Sequence, residues 1–173
     1  AEGVDKVITI GMAPVTVNDQ ASMDYGPQFK QTMTADGDPS SMIALDMVEG
    51  DANLDKGFMA TDEFAKEHGW KVGETYKVAS AANDKKAEAK LVGTFKPTEV
   101  VQNMVLSQDV AEKVAPERSF TVQMVGVLGQ EGYDKEELRH NLEDAVKDLV
   151  VVQVNSGEEY AGQAAGFIDQ MLS

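Results

Sequence analysis

The stretch whose reading decides the fold covers residues 50–78, GDANLDKGFMATDEFAKEHGWKVGETYKV. It divides into a polar approach loop, a short apolar strand at Phe58, Met59 and Ala60, a helix over residues 62–68, a turn, and a second strand over residues 75–78. Thr61 is placed to cap the helix, because its side-chain oxygen can accept from an amide of the first turn. Asp62 and Glu63 suit the positive end of the helix dipole, and Phe64 and Ala65 fall on its inner face. Gly69 stands where a chain leaves a helix through positive φ. Gly73 permits the tight turn into the β-prone run Thr75, Tyr76, Lys77 and Val78. None of these side chains is chemically reactive, so the stretch marks a fold and not a site.

Working outward, Val7 to Ile10 and Val15 to Val17 read as a first strand that Gly11 and Pro14 interrupt, which places a bend, bulge or sheet edge there. Residues 18–40 are polar and rich in Asp, Gly, Pro and Ser, with a strand over 29–34. An apolar run over 42–48 leads back to the opening stretch. Beyond Val78, residues 79–86 read as a hairpin connection and 87–95 as the returning strand, stopped at Pro97. Residues 100–106 give another strand, and Ser107 is a cap for a short helix over 108–114, closed by Pro116.

From Ser119 the pattern changes. Residues 120–128 form a strong strand signal, and Asp134 with Glu137 makes a capping box. The helix that follows carries Leu138, Leu142, Ala145, Val146 and Leu149 on one stripe. A second apolar strand over 150–154 completes a βαβ unit, whose strands are expected to be parallel with a right-handed crossover. Ser156 and Glu159 open a last helix faced by Tyr160, Ala164, Phe167, Ile168, Met171 and Leu172. There is no initiator Met, and the apolar stripe is still running at Ser173. Both features lead to the expectation of a domain cut from a longer chain. The fold class read from this order is α+β and two-lobed. A membrane-proximal, βαβ-containing lobe is formed by both chain ends, residues 1–41 and 115–173, and an inserted strand-rich lobe with short helices covers 42–114.

Composition narrows the function classes. With 42% hydrophobic and 26% charged residues, the 173-residue chain has the balance of a folded globular protein. Its formal charge of −15 opposes nucleic acid and anionic membrane surfaces. The absence of cysteine removes disulfides, thiolate zinc sites and thiol catalysis. No apolar run approaches the ~20 residues of a membrane-spanning helix.

Candidate sites were weighed against plainer accounts. Asp51, Asn53, Asp55, Phe58 and Asp62 approach a calcium-binding EF-hand loop, but Lys56 holds the glycine position, Gly57 comes one place late, and Asp62 stands where Glu is expected. A solvated acidic turn is the favoured reading. His68 and His140, the two histidines, have neither HExxH nor paired spacing. No GxSxG or SxxK motif occurs. Gly126, Gly129 and Gly132 have the wrong spacing for a phosphate loop, and Glu131 opposes an anion. The acid pairs Glu136-Glu137 and Glu158-Glu159 belong to first helical turns. Among the nine methionines, Met23, Met33 and Met42 are expected to face solvent or a partner, and Met47, Met104 and Met124 to fill core. The site assignment is therefore no catalytic, cofactor-binding or metal residue, and no cofactor.

The order of these elements resembles the extracytoplasmic core domain of MacB/FtsX-like ABC transporter permeases. The resemblance rests on Gly57-Phe58-Met59-Ala60, on the spacing of Ala65, Gly69, Gly73 and Glu74, on Leu91-Val92-Gly93, and on the ending VVVQVNSGEEYAGQAAGFIDQMLS. It implies a non-catalytic domain on the outer side of a cell membrane, inserted between two transmembrane helices of the parent permease. The implied partners are a cognate ABC ATPase subunit or domain, a second permease copy, and an extracytoplasmic substrate or protein, with no nucleic acid. ATP-driven motion would pass through the last helix, in transport or in mechanical signalling. Residues 18–40 and the loop around Asp84 are the expected contact surfaces. The alternative is a free-standing secreted or cell-surface binding protein, with or without stabilisation by calcium.

Overall fold

The structure, a computed structural model, describes residues 2–26, 29–80, 83–116 and 119–146. In chain order the described elements are β1 (Val4–Ala13), β2 (Val15–Val17), β3 (Met23–Asp24), β4 (Lys30–Asp36), a 3-10 turn (Pro39–Ser41), β5 (Met47–Gly50), β6 (Phe58–Thr61), α1 (Asp62–His68), β7 (Thr75–Ser80), β8 (Lys86–Phe95), β9 (Met104–Ser107), α2 (Gln108–Val114), β10 (Thr121–Gly129) and α3 (Lys135–Val146). The fold is mixed α+β. It has two compact units, residues 8–125 and residues 1–7 with 126–173. Contact density thus divides the chain at 7/8 and 125/126, where the sequence reading draws boundaries at 41/42 and 114/115.

The hydrogen-bonded order is β10-β1-β4-β9-β6-β8-β7-β2, with β3 on β4 and β5 on β8. β4 runs parallel to β9, and β6 runs parallel to β8. β1-β4, β6-β9, β7-β8 and β2-β7 are antiparallel. β1 is second from one end of this order and β2 stands at the other end, yet only Pro14 separates them. The sheet must therefore curl until β2 comes back beside the strands next to β1. Pro14 suits that corner because it has no N–H to commit to a ladder. At the seam the buried Thr32 hydroxyl on β4 donates to the Val15 carbonyl oxygen on β2 at 2.7 Å.

Alternation along the strands supplies the core. Val15, Val17, Phe58, Ala60, Val78, Ala89, Leu91, Met104 and Leu106 belong to one buried cluster, which α2 joins through Val110, Ala111 and Val114. Met59, Val105 and Phe95 are also buried. The central strands are thus covered on both faces, and they read as near-continuous apolar runs.

α1 and α2 form over the residues expected. Thr61 caps α1 by accepting from the Phe64 amide at 3.1 Å, and Gly69 ends it at φ 69°. Thr61→Ala is expected to cost about 1 kcal/mol, read as a shift of the urea midpoint at unchanged m. Thr61→Ser should recover most of it. Ser107 sits at the N-cap of α2, but its side chain makes no capping hydrogen bond.

Three expectations are corrected. The apolar run over 42–48 yields strand only at Met47–Gly50, because Asp38 caps the 3-10 turn that precedes it, its carboxylate accepting from the Ser40 amide at 2.8 Å. The strand expected from residue 100 starts at Met104. Asn103 is left-handed at φ 63°, and the Thr98 hydroxyl accepts from the Val100 and Val101 amides, holding that segment as a turn. Met33 is buried in β4 between β1 and β9 and does not face solvent.

In the smaller unit, the Gln130 amide donates to the Gly3 carbonyl oxygen at 2.7 Å, and Tyr133 lies over Gly3, which adopts φ 87°. Asn141 on α3 donates to the Glu2 carbonyl oxygen and to the Tyr133 hydroxyl at 3.3 and 3.0 Å. Asp134 caps α3, accepting from the Glu137 amide at 2.9 Å. Leu138 and Leu142 are half-buried. The strand expected over 150–154 and the helix expected from Ser156 lie outside the described residues.

Candidate functional site

A cavity of about 290 Å³ opens beside α1 in the larger unit. Glu63, Phe64 and Glu67 form one wall, and Pro97, Val101 and Gln102 contribute to the other. The walls are fixed by their backbones. Thr61, the cap of α1, donates its amide to the Asn103 carbonyl oxygen at 2.8 Å. The turn at Thr98 shapes the segment between. On the far side Lys96 pairs with Asp62 at 2.9 Å, and its amide donates to the Asp46 carbonyl oxygen at 2.8 Å.

Behind Phe64 stands an aromatic group. Its ring meets His68 at 4.4 Å and Trp70 edge-on at 5.3 Å, and Trp70 meets Phe58 edge-on at 5.5 Å. Such edge-on pairs align ring edge with ring face and fix orientation beyond simple burial. Phe64 is thereby held as a rigid wall. The Trp70 indole N–H is buried without a hydrogen-bond partner among the described residues.

The electrostatics are one-sided. Glu63 and Glu67 lie one turn apart, and neither joins an ion pair with another described residue. The hydrogen bond and charge of Lys96 hold the Asp62 carboxyl below its ordinary 3.8, and Asp62 in turn raises the Lys96 ammonium above its ordinary 10.5. The signs differ. Stabilisation from Asp62 is present above 3.8 and lost as pH falls through its lower folded value. Stabilisation from Lys96 is present below 10.5 and lost as pH rises through its higher folded value. The pair is intact at neutral pH. Lys96→Met should return the Asp62 carboxyl toward 3.8 in a carboxyl-carbon NMR titration, and an unmoved midpoint would overturn the assignment.

The residues that approach a calcium-loop pattern are engaged with one another, with the core and with Lys96. The Asp51 carboxylate accepts from the Asn53 amide at 3.0 Å, and the Asn53 side-chain oxygen accepts from the Asp55 amide at 3.3 Å, two overlapping turns. Phe58 is buried in the core, and Asp62 accepts from Lys96 and from the Glu63 amide. Among the described residues no group of three or more His, Asp or Glu side chains is placed to hold a metal ion. His68 packs on Phe64 and Trp70, and His140 is exposed on α3. Gly129 ends β10 close to Leu138, and Gly132 takes φ 79° in the turn that follows. Glu136 and Glu137 lie in the first turn of α3, and Glu158-Glu159 fall outside the described residues.

The expected contact surfaces divide. Within residues 18–40, Thr32 to Ala35 are buried in β4, whereas Tyr25 and Phe29 are exposed at the hairpin tip. Near Asp84, Asn83 anchors its connection by donating to the Val114 carbonyl oxygen at 3.1 Å. Sequence reasoning missed the cavity. Its one legible signal was the pair Glu63 and Glu67 at helical spacing on the outer face of α1.

No protein-family model and no curated protein matches the sequence. Among solved structures, the periplasmic region of MacB from Actinobacillus actinomycetemcomitans aligns with a TM-score of 0.57 at 10% identity, over 94% of this chain and 77% of that one. The chain is similar in fold to that region. A domain of an assigned permease protein from Porphyromonas gingivalis aligns with a TM-score of 0.44 at 14% identity, over 84% of this chain and 70% of that one. No helix among the described residues is long and apolar enough to cross a membrane.

Proposed function

We propose that this chain is the extracytoplasmic domain of an ABC transporter permease, a non-catalytic module that binds a substrate or partner protein and transmits ATP-driven motion. The observation that carries the reading is the fold likeness to the periplasmic region of MacB, which extends over 94% of the chain. The MacB/FtsX-like glycine pattern in the sequence supports it independently. A cognate ATPase and a second permease copy would then be the partners within the membrane assembly. The unit built from residues 1–7 and 126–173 would stand nearer the membrane, since both chain ends enter through it.

A non-catalytic role agrees with the chemistry on view. The chain has no cysteine nucleophile. The cavity beside α1 has a mixed lining, with Phe64, Pro97 and Val101 among Thr61, Glu63, Glu67, Thr98, Gln102 and Asn103, and these described residues do not set a nucleophile, a base and an oxyanion donor around one point.

The test is the parent reading frame. Apolar segments of ~20 residues directly flanking Ala1 and Ser173 are expected. Stop codons at those positions, or a cleaved leader followed by a stop, would overturn the reading.

A further inference from the structure

We infer that the cavity beside α1 is a socket for a single basic side chain, Arg or Lys, presented by a protein partner. The proposal supplies the contact chemistry of the partner-binding role above and rests on that reading.

Size comes first. At about 290 Å³ the cavity lies at the lower edge of the ~300–1,000 Å³ typical of small-molecule pockets. It suits one long side chain better than a folded cofactor. Its walls then select the chemistry of that side chain. Phe64, Pro97 and Val101 offer apolar surface, which matches the methylene stem that Lys and Arg bury beneath their charged heads. Glu63 and Glu67 stand one turn apart on the same wall, where they can meet that head as charge-assisted acceptors. Gln102 adds a carboxamide to the lining. The adjacent cation, Lys96, is held by Asp62 at 2.9 Å, and among the described residues no Lys or Arg lines the cavity.

Charge complementarity favours a basic occupant at longer range as well, because the chain carries a formal −15. Rigidity favours a socket over a sticky surface. Phe64 is braced by His68 and Trp70, and the opposite wall is tied to Thr61 through the Asn103 carbonyl oxygen. The apolar part of the wall is thus set before binding, and the ordering left to be done is that of the exposed Glu63 and Glu67 side chains.

The experiment titrates the full chain with acetyl-Ala-Arg-Ala-amide at about 0.15 M salt, where the Debye length is only ~8 Å, and follows backbone amide shifts by NMR. Acetyl-Ala-Lys-Ala-amide, acetyl-Ala-Glu-Ala-amide and spermidine are run beside it. Saturable shifts confined to Glu63, Phe64, Glu67, Val101 and Gln102 are expected with the Arg and Lys peptides and not with the Glu peptide. In the doubly substituted E63Q/E67Q chain the affinity should fall at least tenfold. Both positions are exposed, so an unchanged melting midpoint will show that the chain still folds. Unsaturable shifts spread over the acidic surface, or binding unaltered in E63Q/E67Q, would overturn the proposal in favour of diffuse charge attraction. Saturation by spermidine without saturation by either peptide would overturn the assignment to a protein side chain. None of these outcomes depends on the parent reading frame, so this inference and the permease reading can fail separately.

Discussion

Alanine at Phe58 is expected to lower the stability of the larger unit by about 3–5 kcal/mol, the usual cost of deleting a fully buried ring. Phe58 has no exposed surface. It meets Trp70 edge-on at 5.5 Å and Tyr76 edge-on at 5.9 Å, and its strand lies between β8 and β9. The residue thus couples the middle of the sheet to the turn that follows α1. Truncation would leave a cavity under Trp70 that this close-packed surround cannot fill. Trp70 is the sole tryptophan, so its emission reports unfolding directly. Urea titration should show a lower midpoint, and a loss below about 1 kcal/mol would mean that the cluster relaxes into the gap.

The second large effect is expected at Gly50. This glycine ends β5 opposite Gly93 of β8 and adopts φ 76°. A methyl group there would run into the Val92 carbonyl oxygen and come within 2.7 Å of the Gly93 Cα. Backbone cannot swing aside as a flexible side chain can. Two penalties therefore combine at Gly50→Ala, left-handed strain of about 1–3 kcal/mol and a clash with the neighbouring strand. Gly73 provides the control. It also has positive φ, at 96°, but nothing lies within 4 Å of where a methyl group would go. Gly73→Ala should show the strain alone. Chemical denaturation of both variants should find Gly50→Ala at least twice as costly, and equal losses would mean that β5 and β8 separate without resistance.

These two sites also show what the sequence could and could not say. Residues whose conformation is set by close neighbours were legible. Thr61 and Gly69 bracket α1 because capping and positive φ are decided within one turn of chain. The β8 strand was legible because its alternation and its hairpin to β7 are local. Gly57 and Gly93 stood out only within short motifs and Gly50 not at all, because their cause lies across the sheet. A methyl group on Gly93 would stand 2.5 Å from the Asp51 carbonyl oxygen, and Gly57 packs under the Lys90 carbonyl. Close approach between strands leaves a glycine in the sequence without naming the partner.

Long-range pairing was not legible at all. The parallel partnership of β4 with β9 and the contact of β2 with β7 join segments distant in sequence, and hydrophobic patterning is indifferent to which strand lies alongside. Residues 18–40 looked like surface because they are rich in polar side chains, yet Thr32 and Thr34 are fully buried. Threonine is polar in composition but at home in a strand, where its branched Cβ packs well. The cavity was hidden for a similar reason. Glu63 and Glu67 announce only a helix face, and Pro97 to Gln102 were expected to lead into a strand. It took Asn103 turning left-handed at φ 63° to fold that segment back against α1.

The corner at Pro14 has a consequence for the order in which the protein can be made. Synthesis runs from the N-terminus, so β1 and β2 leave the ribosome before the strands they pair with. β1 soon finds β4, but Val15 must wait for Ser80 and Met33 for Val105. Until those residues emerge, the nascent chain carries unpaired strand edges made largely of Val, Thr and Met, the kind of edge that recruits other chains. Closure waits for those distant partners, and rates governed by such pairings are slow. During that interval the early strands are the part of the chain most open to pairing with other chains.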